Sequence, residues 1–139
     1  MGRGGALEGM PPPFVLGTFE DDYGIAYTVS PRLWHQRPDA RYHVVRWNAE
    51  AQYLIARNDA GNPTDGGRWA RIDWVALHDM APYTWAFCLT TYDAPTAAAA
   101  EAIPPAQRDT PRTGCGGYPF SRMRPTDGTP PATASPYED

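Results

Sequence analysis

The sequence predicts an all-β fold: a small antiparallel meander β-barrel of about seven or eight strands, with one short α-helix near the C-terminus. Two observations carry this. Four runs between Tyr42 and Tyr92 are rich in aromatic and β-branched residues, the composition of a pleated, half-buried surface. Each is joined to the next by a short connection, the grammar of an antiparallel meander. Closing such a meander into a barrel leaves no exposed edge.

Residues 1–13 are rich in Gly and Pro and end in Pro11-Pro12-Pro13, so they read as a flexible arm. The ordered domain, residues 14–124, opens with a strand from Phe14 to Phe19, and Asp21, Asp22 and Gly24 mark a turn or bulge before a second strand from Ile25 to Ser30. A short third run, Arg32 to Gln36, is cut off by Pro38. Runs from Tyr42 to Asn48 and from Gln52 to Asn58 flank the tight link Asn48-Ala-Glu-Ala51, which holds them to one antiparallel register. The loop from Asn58 to Gly67 consists almost wholly of turn formers. Its Asp59, Asn62 and Asp65 lack the spacing and bidentate Glu of a calcium loop, so it reads as a solvated hairpin loop and no metal site is expected. After the runs Arg68 to Leu77 and Thr84 to Tyr92, an Ala-rich stretch from Asp93 to Ala102 predicts the helix, with Pro95 in its first turn and Pro104-Pro105 beyond its end. Residues 114–123 read as a last strand or extended segment, and residues 125–139 as a disordered tail rich in Pro, Thr and Ser.

Charge and motifs narrow the function classes. The formal net charge is -4 and every positive side chain besides histidine is Arg, which argues against a dedicated nucleic-acid binder. No run approaches the length of a membrane-spanning helix, and the first 13 residues lack the apolar core of a secretory signal. His35, His43 and His78 sit on separate elements with no zinc spacing, and no nucleophile elbow or phosphate-binding glycine pattern occurs. No cofactor is therefore expected, and oligomeric state is left open.

Gly17-Thr18-Phe19 opening the domain, a series of antiparallel hairpins, and a late helix before a final strand together resemble the lipocalin-like (calycin) barrels. Phe19 stands where that family places the Trp of G-x-W, and Arg122 or Arg124 stands where it places an Arg over the closed end. The resemblance covers residues 14–124 and implies a small, apolar or amphipathic molecule held inside the barrel.

The candidate ligand-binding residues are Tyr27, His43, Trp47, Tyr53, Arg57, Trp69, Arg71, Asp73 and Trp85. Alternation along the sixth run puts Trp69, Arg71, Asp73, Val75 and Leu77 on one face and Ala70, Ile72, Trp74 and Ala76 on the other, both partly apolar. Should the Trp69 face point inward, Arg71 and Asp73 form a network or grip a polar head in the lumen beside His43, Trp47, Tyr53 and Arg57. Should it point outward, the charges are surface cross-strand pairs. An enzyme acting on a hydrophobic substrate, such as an isomerase, cyclase or decarboxylase, is the alternative function, since small barrels can do acid and base chemistry without a sequence motif. Cys88 and Cys115 flank the helix, and Gly114, Gly116 and Gly117 allow close approach of the backbone, so a bridge between them is expected. Such a bond implies a secreted or periplasmic protein; two free thiols would imply a cytoplasmic one.

Overall fold

The computed structural model describes residues 6–126. Eight strands run in chain order and close into a barrel: β1 (Gly17–Asp21), β2 (Ala26–Ser30), β3 (Leu33–Gln36), β4 (Ala40–Asn48), β5 (Tyr53–Asn58), β6 (Trp69–Ala76), β7 (Trp85–Ala94) and β8 (Ser121–Pro125). Every neighbouring pair is antiparallel, and β8 completes the ring by pairing with β7 on one side and β1 on the other. The helix, α1 (Ala97–Glu101), follows β7. The all-β meander barrel with one short helix is thus the observed fold. Residues 1–5 and 127–139, and with them most of the expected tail, lie outside the described residues.

Several boundaries differ from the sequence reading for local reasons. Pro13–Val15 form a 3-10 turn instead of the start of β1, consistent with the fixed φ of proline at a first helical position. α1 starts at Ala97 because β7 continues through Ala94 and Thr96 is the N-cap, its side chain accepting from the Ala99 N–H at 3.0 Å. Residues 114–120 are a set of turns, and β8 begins only at Ser121. The N-terminal arm is pinned where Glu8 forms a bridge with Arg46 of β4, its N–H donating to Val45 O at 3.1 Å and its O accepting from Trp47 N at 2.7 Å. Gly9, at φ 77°, makes that approach possible, since a Cβ there would lie 1.9 Å from Trp47 O.

The interior follows from alternation. One buried cluster draws Phe19 from β1, Tyr27 and Val29 from β2, Trp34 from β3, Val44 and Trp47 from β4, Leu54 and Ala56 from β5, Ile72 and Trp74 from β6, Trp85 and Phe87 from β7, and Met123 from β8. A cluster fed by every strand of a closed ring lies in the lumen. Val44 and Trp47, three apart, both reach it because a β-bulge falls between Val44 and Arg46. Edge-to-face ring contacts knit the cluster: Phe19 with Trp85 at 5.1 Å, Trp34 with Phe87 at 5.0 Å and Trp34 with Trp85 at 5.9 Å between centroids. An eight-stranded ring is just wide enough for side chains to fill, and these large rings fill it.

Two smaller clusters coat the outside. Ile55, Ala94 and Ala100 pack with Tyr53, Trp69, Ala97 and Ala99 where α1 lies on β5 to β7. Ala86, Cys88, Ala106 and Phe120 pack with Val75, Leu77 and Cys115 where the chain between α1 and β8 crosses β6 and β7. We refer to that crossing, residues 103–120, as the strap. The disulfide Cys88–Cys115, with Cα atoms 5.5 Å apart, fastens it to β7, as the sequence suggested.

Candidate functional site

The ring sorts the candidate residues onto two faces. Tyr27, Trp47 and Trp85 point into the filled lumen, each at most 2% exposed. The Tyr27 hydroxyl donates to Asp21 Oδ2 at 2.7 Å, and Asp21 Oδ1 accepts from the N–H groups of Tyr23 and Ile25, so this pair ties off the β1–β2 turn. Burial first, and then the Asp21 carboxylate, push the Tyr27 phenol far upward, which keeps it a proton donor. The Trp47 indole N–H donates to Pro31 O at 2.7 Å.

His43, Tyr53, Arg57, Trp69, Arg71 and Asp73 lie on the outer face. The inward alternative for the Trp69 face is therefore corrected: Ile72 and Trp74 of β6 occupy the lumen instead, because they are the alternate set and carry no charge to desolvate. His43 lies against Asp59 at 2.7 Å and Arg57 over the Trp69 ring at 5.5 Å, both apart from Tyr53, Arg71 and Asp73. Tyr53, Arg71 and Asp73 do come together, but under the helix and the strap.

Asp73, fully buried, is the centre of that group. Its Oδ2 accepts from Arg71 Nε at 3.1 Å and from the Thr90 hydroxyl, and its Oδ1 accepts from Arg71 Nη2 at 3.2 Å and Arg108 Nη2 at 2.6 Å. Thr90 is free to turn toward it because the β6–β7 register shifts between Arg71 and Ile72. Arg71 stacks over the Tyr53 ring at 4.0 Å and donates to the carbonyls of Glu101 and Ile103. The Tyr53 hydroxyl in turn donates to Glu101, which also accepts from Arg46 at 2.6 Å. Arg108 donates further to Trp74 O at 2.9 Å and Gln52 O at 2.6 Å. With its acceptors and donors turned on one another, this group clamps α1 and the strap to the barrel wall. Sequence reading missed Thr90 and Arg108: one is placed by a register shift, the other by a segment without periodicity.

Open volume lies elsewhere. A cleft of about 780 Å³ opens on the outer wall, beside the β6–β7 connection. The barrel contributes Ala76, Leu77, Met80 and Ala86 to its apolar lining, and the strap contributes Pro111, Pro119 and Phe120. Arg112, His78, Asp22 and Arg122 supply the polar lining. Arg122 is engaged, donating to Asp22 Oδ2 at 2.9 Å and lying 4.6 Å from the centre of the Tyr83 ring. Asp22 Oδ1 is buried with no partner among the described residues. Arg112 and His78 are exposed, and neither has a hydrogen-bonding or ionic partner among the described residues. Apart from Arg122, named for the arginine over the closed end, none of these cleft residues was singled out as a candidate, because the cleft is made where a turn-rich strap passes a loop, and neither has a period to read. Among the described residues no three His, Cys, Asp or Glu side chains gather as a metal site.

No family model matches the chain, and no curated protein or solved structure matches it.

Proposed function

We propose that this protein is a small-molecule-binding barrel of the lipocalin-like kind that holds an amphipathic ligand against its outer wall. The observation that carries the reading is the cleft lined by Leu77, Met80, Ala86, Pro111, Pro119 and Phe120 with Arg112 and His78 exposed beside it. An apolar recess with a few polar groups is the usual form of a small-molecule site. The apolar body of the ligand lies on the Leu77 and Phe120 side, and its polar head reaches the exposed Arg112 and His78. The rings packed in the lumen argue for this outer position over the barrel centre. The disulfide supports maturation in an oxidising compartment, secreted or periplasmic.

Native mass spectrometry of protein purified from its source, read together with titration by an environment-sensitive amphiphile such as anilinonaphthalene sulfonate, tests this. One molecule per chain is expected, with binding lost in Met80→Arg and Leu77→Asp. A ligand that binds both variants as tightly as the parent would overturn the assignment to this cleft.

A further inference from the structure

The two walls of the cleft differ in how they are held. One wall belongs to the barrel. The other, made by Thr110, Pro111, Arg112, Pro119 and Phe120, belongs to the strap. Among the described residues, the backbone hydrogen bonds of residues 107–120 all run within the strap: Gln107 N to Gly114 O, Gly117 N to Thr113 O, Phe120 N to Pro111 O and their neighbours. None reaches a strand. The strap is a self-bonded loop laid on the barrel, and four attachments hold it there: the Arg71 bond to Ile103 O, the Arg108 clamp, the buried Phe120 and Ala106, and the disulfide.

These attachments are unevenly spaced. Arg108 fixes the first part of the strap, and the buried Phe120 with β8 fixes its end, so residues 109–119 lie between anchors, and Thr110, Pro111, Arg112 and Pro119 of the cleft fall in that interval. Inside it, Cys115 is the covalent attachment. Cys115 is partly exposed while Cys88 is 2% exposed, and a second cleft of about 480 Å³ opens directly over the pair, between Leu89 and Thr90 on β7 and Pro105, Gly116 and Tyr118 on the strap. The more exposed cysteine thus belongs to the movable partner.

We infer that the Cys88–Cys115 disulfide is a latch on the ligand cleft, and that reducing it frees residues 109–119 and opens the cleft wall without opening the barrel. The inference rests on the ligand reading only for its effect on binding; the release of the strap is independent of it. The reductant is a dithiol, either a small molecule or a dithiol oxidoreductase. Its thiolate attacks Cys115 Sγ, breaking the Cys88–Cys115 bond, and Cys88 leaves as a thiolate that takes up a proton. The second thiolate of the reductant attacks its own sulfur in the mixed disulfide and releases Cys115. The protein gains two electrons and two protons, and the dithiol becomes a disulfide. Arg108 stays in place throughout, because its partners, Asp73 and the carbonyls of Trp74 and Gln52, belong to the barrel side.

Hydrogen exchange on the whole chain, oxidised and after treatment with dithiothreitol, reads the latch without any ligand. The expected result is exchange accelerated at least tenfold more at residues 109–119 than at β2 to β5, whose protection falls only with the loss of global stability, and the same pattern in the Cys88→Ala/Cys115→Ala double variant held under oxidising conditions. Unchanged exchange in the strap overturns the inference, and so does loss of protection by the same factor in strap and strands, which would make the bond a staple of the whole fold and no latch. Anilinonaphthalene sulfonate, titrated into both forms, is expected to bind the reduced form at least tenfold more weakly. Equal affinity in the two forms, with the strap released, removes the cleft from the latch's control. A probe that binds neither form counts against the ligand reading, while the exchange result still decides the latch.

Discussion

At the scale of single residues, Asp73 shows how burial outside a barrel differs from burial within one. Its carboxylate is closed off by Arg71, Thr90 and Arg108, and Arg71 is itself 5% exposed. Removing one member of a buried ionic group leaves the others desolvated and uncompensated, which costs more than the group contributes when complete. Asp73→Ala is therefore expected to lower unfolding free energy by about 3–5 kcal/mol in urea titrations, whereas an exposed pair on the same strand would contribute under about 1 kcal/mol. Alternation in the sequence put Arg71 and Asp73 on one face but could not say which. Both outcomes it allowed were incomplete, because the cover came from a segment with no strand or helix period.

At the scale of elements, α1 is a helix of five residues and stays put through its docking more than its own propensity. Glu101 is the point of attachment. Burial alone would raise its carboxyl, but the hydrogen bonds from Tyr53 and Arg46 outweigh that and hold it below the ordinary glutamate range. The same bond to Glu101 raises the Tyr53 phenol and keeps it a donor. A folded-state pKa below the unfolded one adds stability above the unfolded value, near 4.3, and loses it as pH falls through the folded value. Parent and Glu101→Gln should accordingly differ in melting temperature at pH 7 and converge once pH is well below about 4, a comparison that calorimetry makes directly. The Ala run and the prolines made the existence of α1 legible, and Thr96 could have been read as its cap. The role of Glu101 was not legible, since Tyr53 and Arg46 lie 48 and 55 residues away in sequence. The disulfide was legible from two cysteines placed either side of the helix; closing its 27-residue separation is worth about 3.5 kcal/mol in the loop-entropy view.

For the whole molecule, closure falls to the shortest pairings. β8 meets β1 over Phe19 to Asp21 and β7 over Trp85 to Phe87, with an Arg124–Glu20 ion pair across the seam. Met123 is the one β8 side chain in the lumen cluster and is fully buried. Met123→Ala should cost about 2–5 kcal/mol, as much as a central-strand truncation, despite lying near the end of the described chain; urea midpoints at constant m-value check this. The meander was legible because each strand pairs with its neighbour in sequence. The filled lumen was harder to foresee: a Trp or Tyr that lines a cavity and one that plugs it have the same periodicity, and only the ring's diameter against their summed size decides.

The self-contained hydrogen bonding of the strap bears on how such a chain can diverge. Core and cleft share few residues, so the part that keeps the molecule folded and the part that would recognise a ligand can change on separate schedules. Gly116 and Gly117 sit past the disulfide ring, exposed, with nothing near the position a Cβ would take. Lengthening a surface loop costs only about 0.6 kcal/mol per doubling, so a Gly-Ser insertion of a few residues between them should leave the melting temperature within a few degrees of the parent while reshaping the cleft's movable side. Gly114 is the exception within the strap, because a Cβ there would lie 1.9 Å from Gln107 O. Variation in a lineage built on this barrel would accordingly fall on either side of an unchanging Gly114, with the tryptophan-filled ring inherited intact.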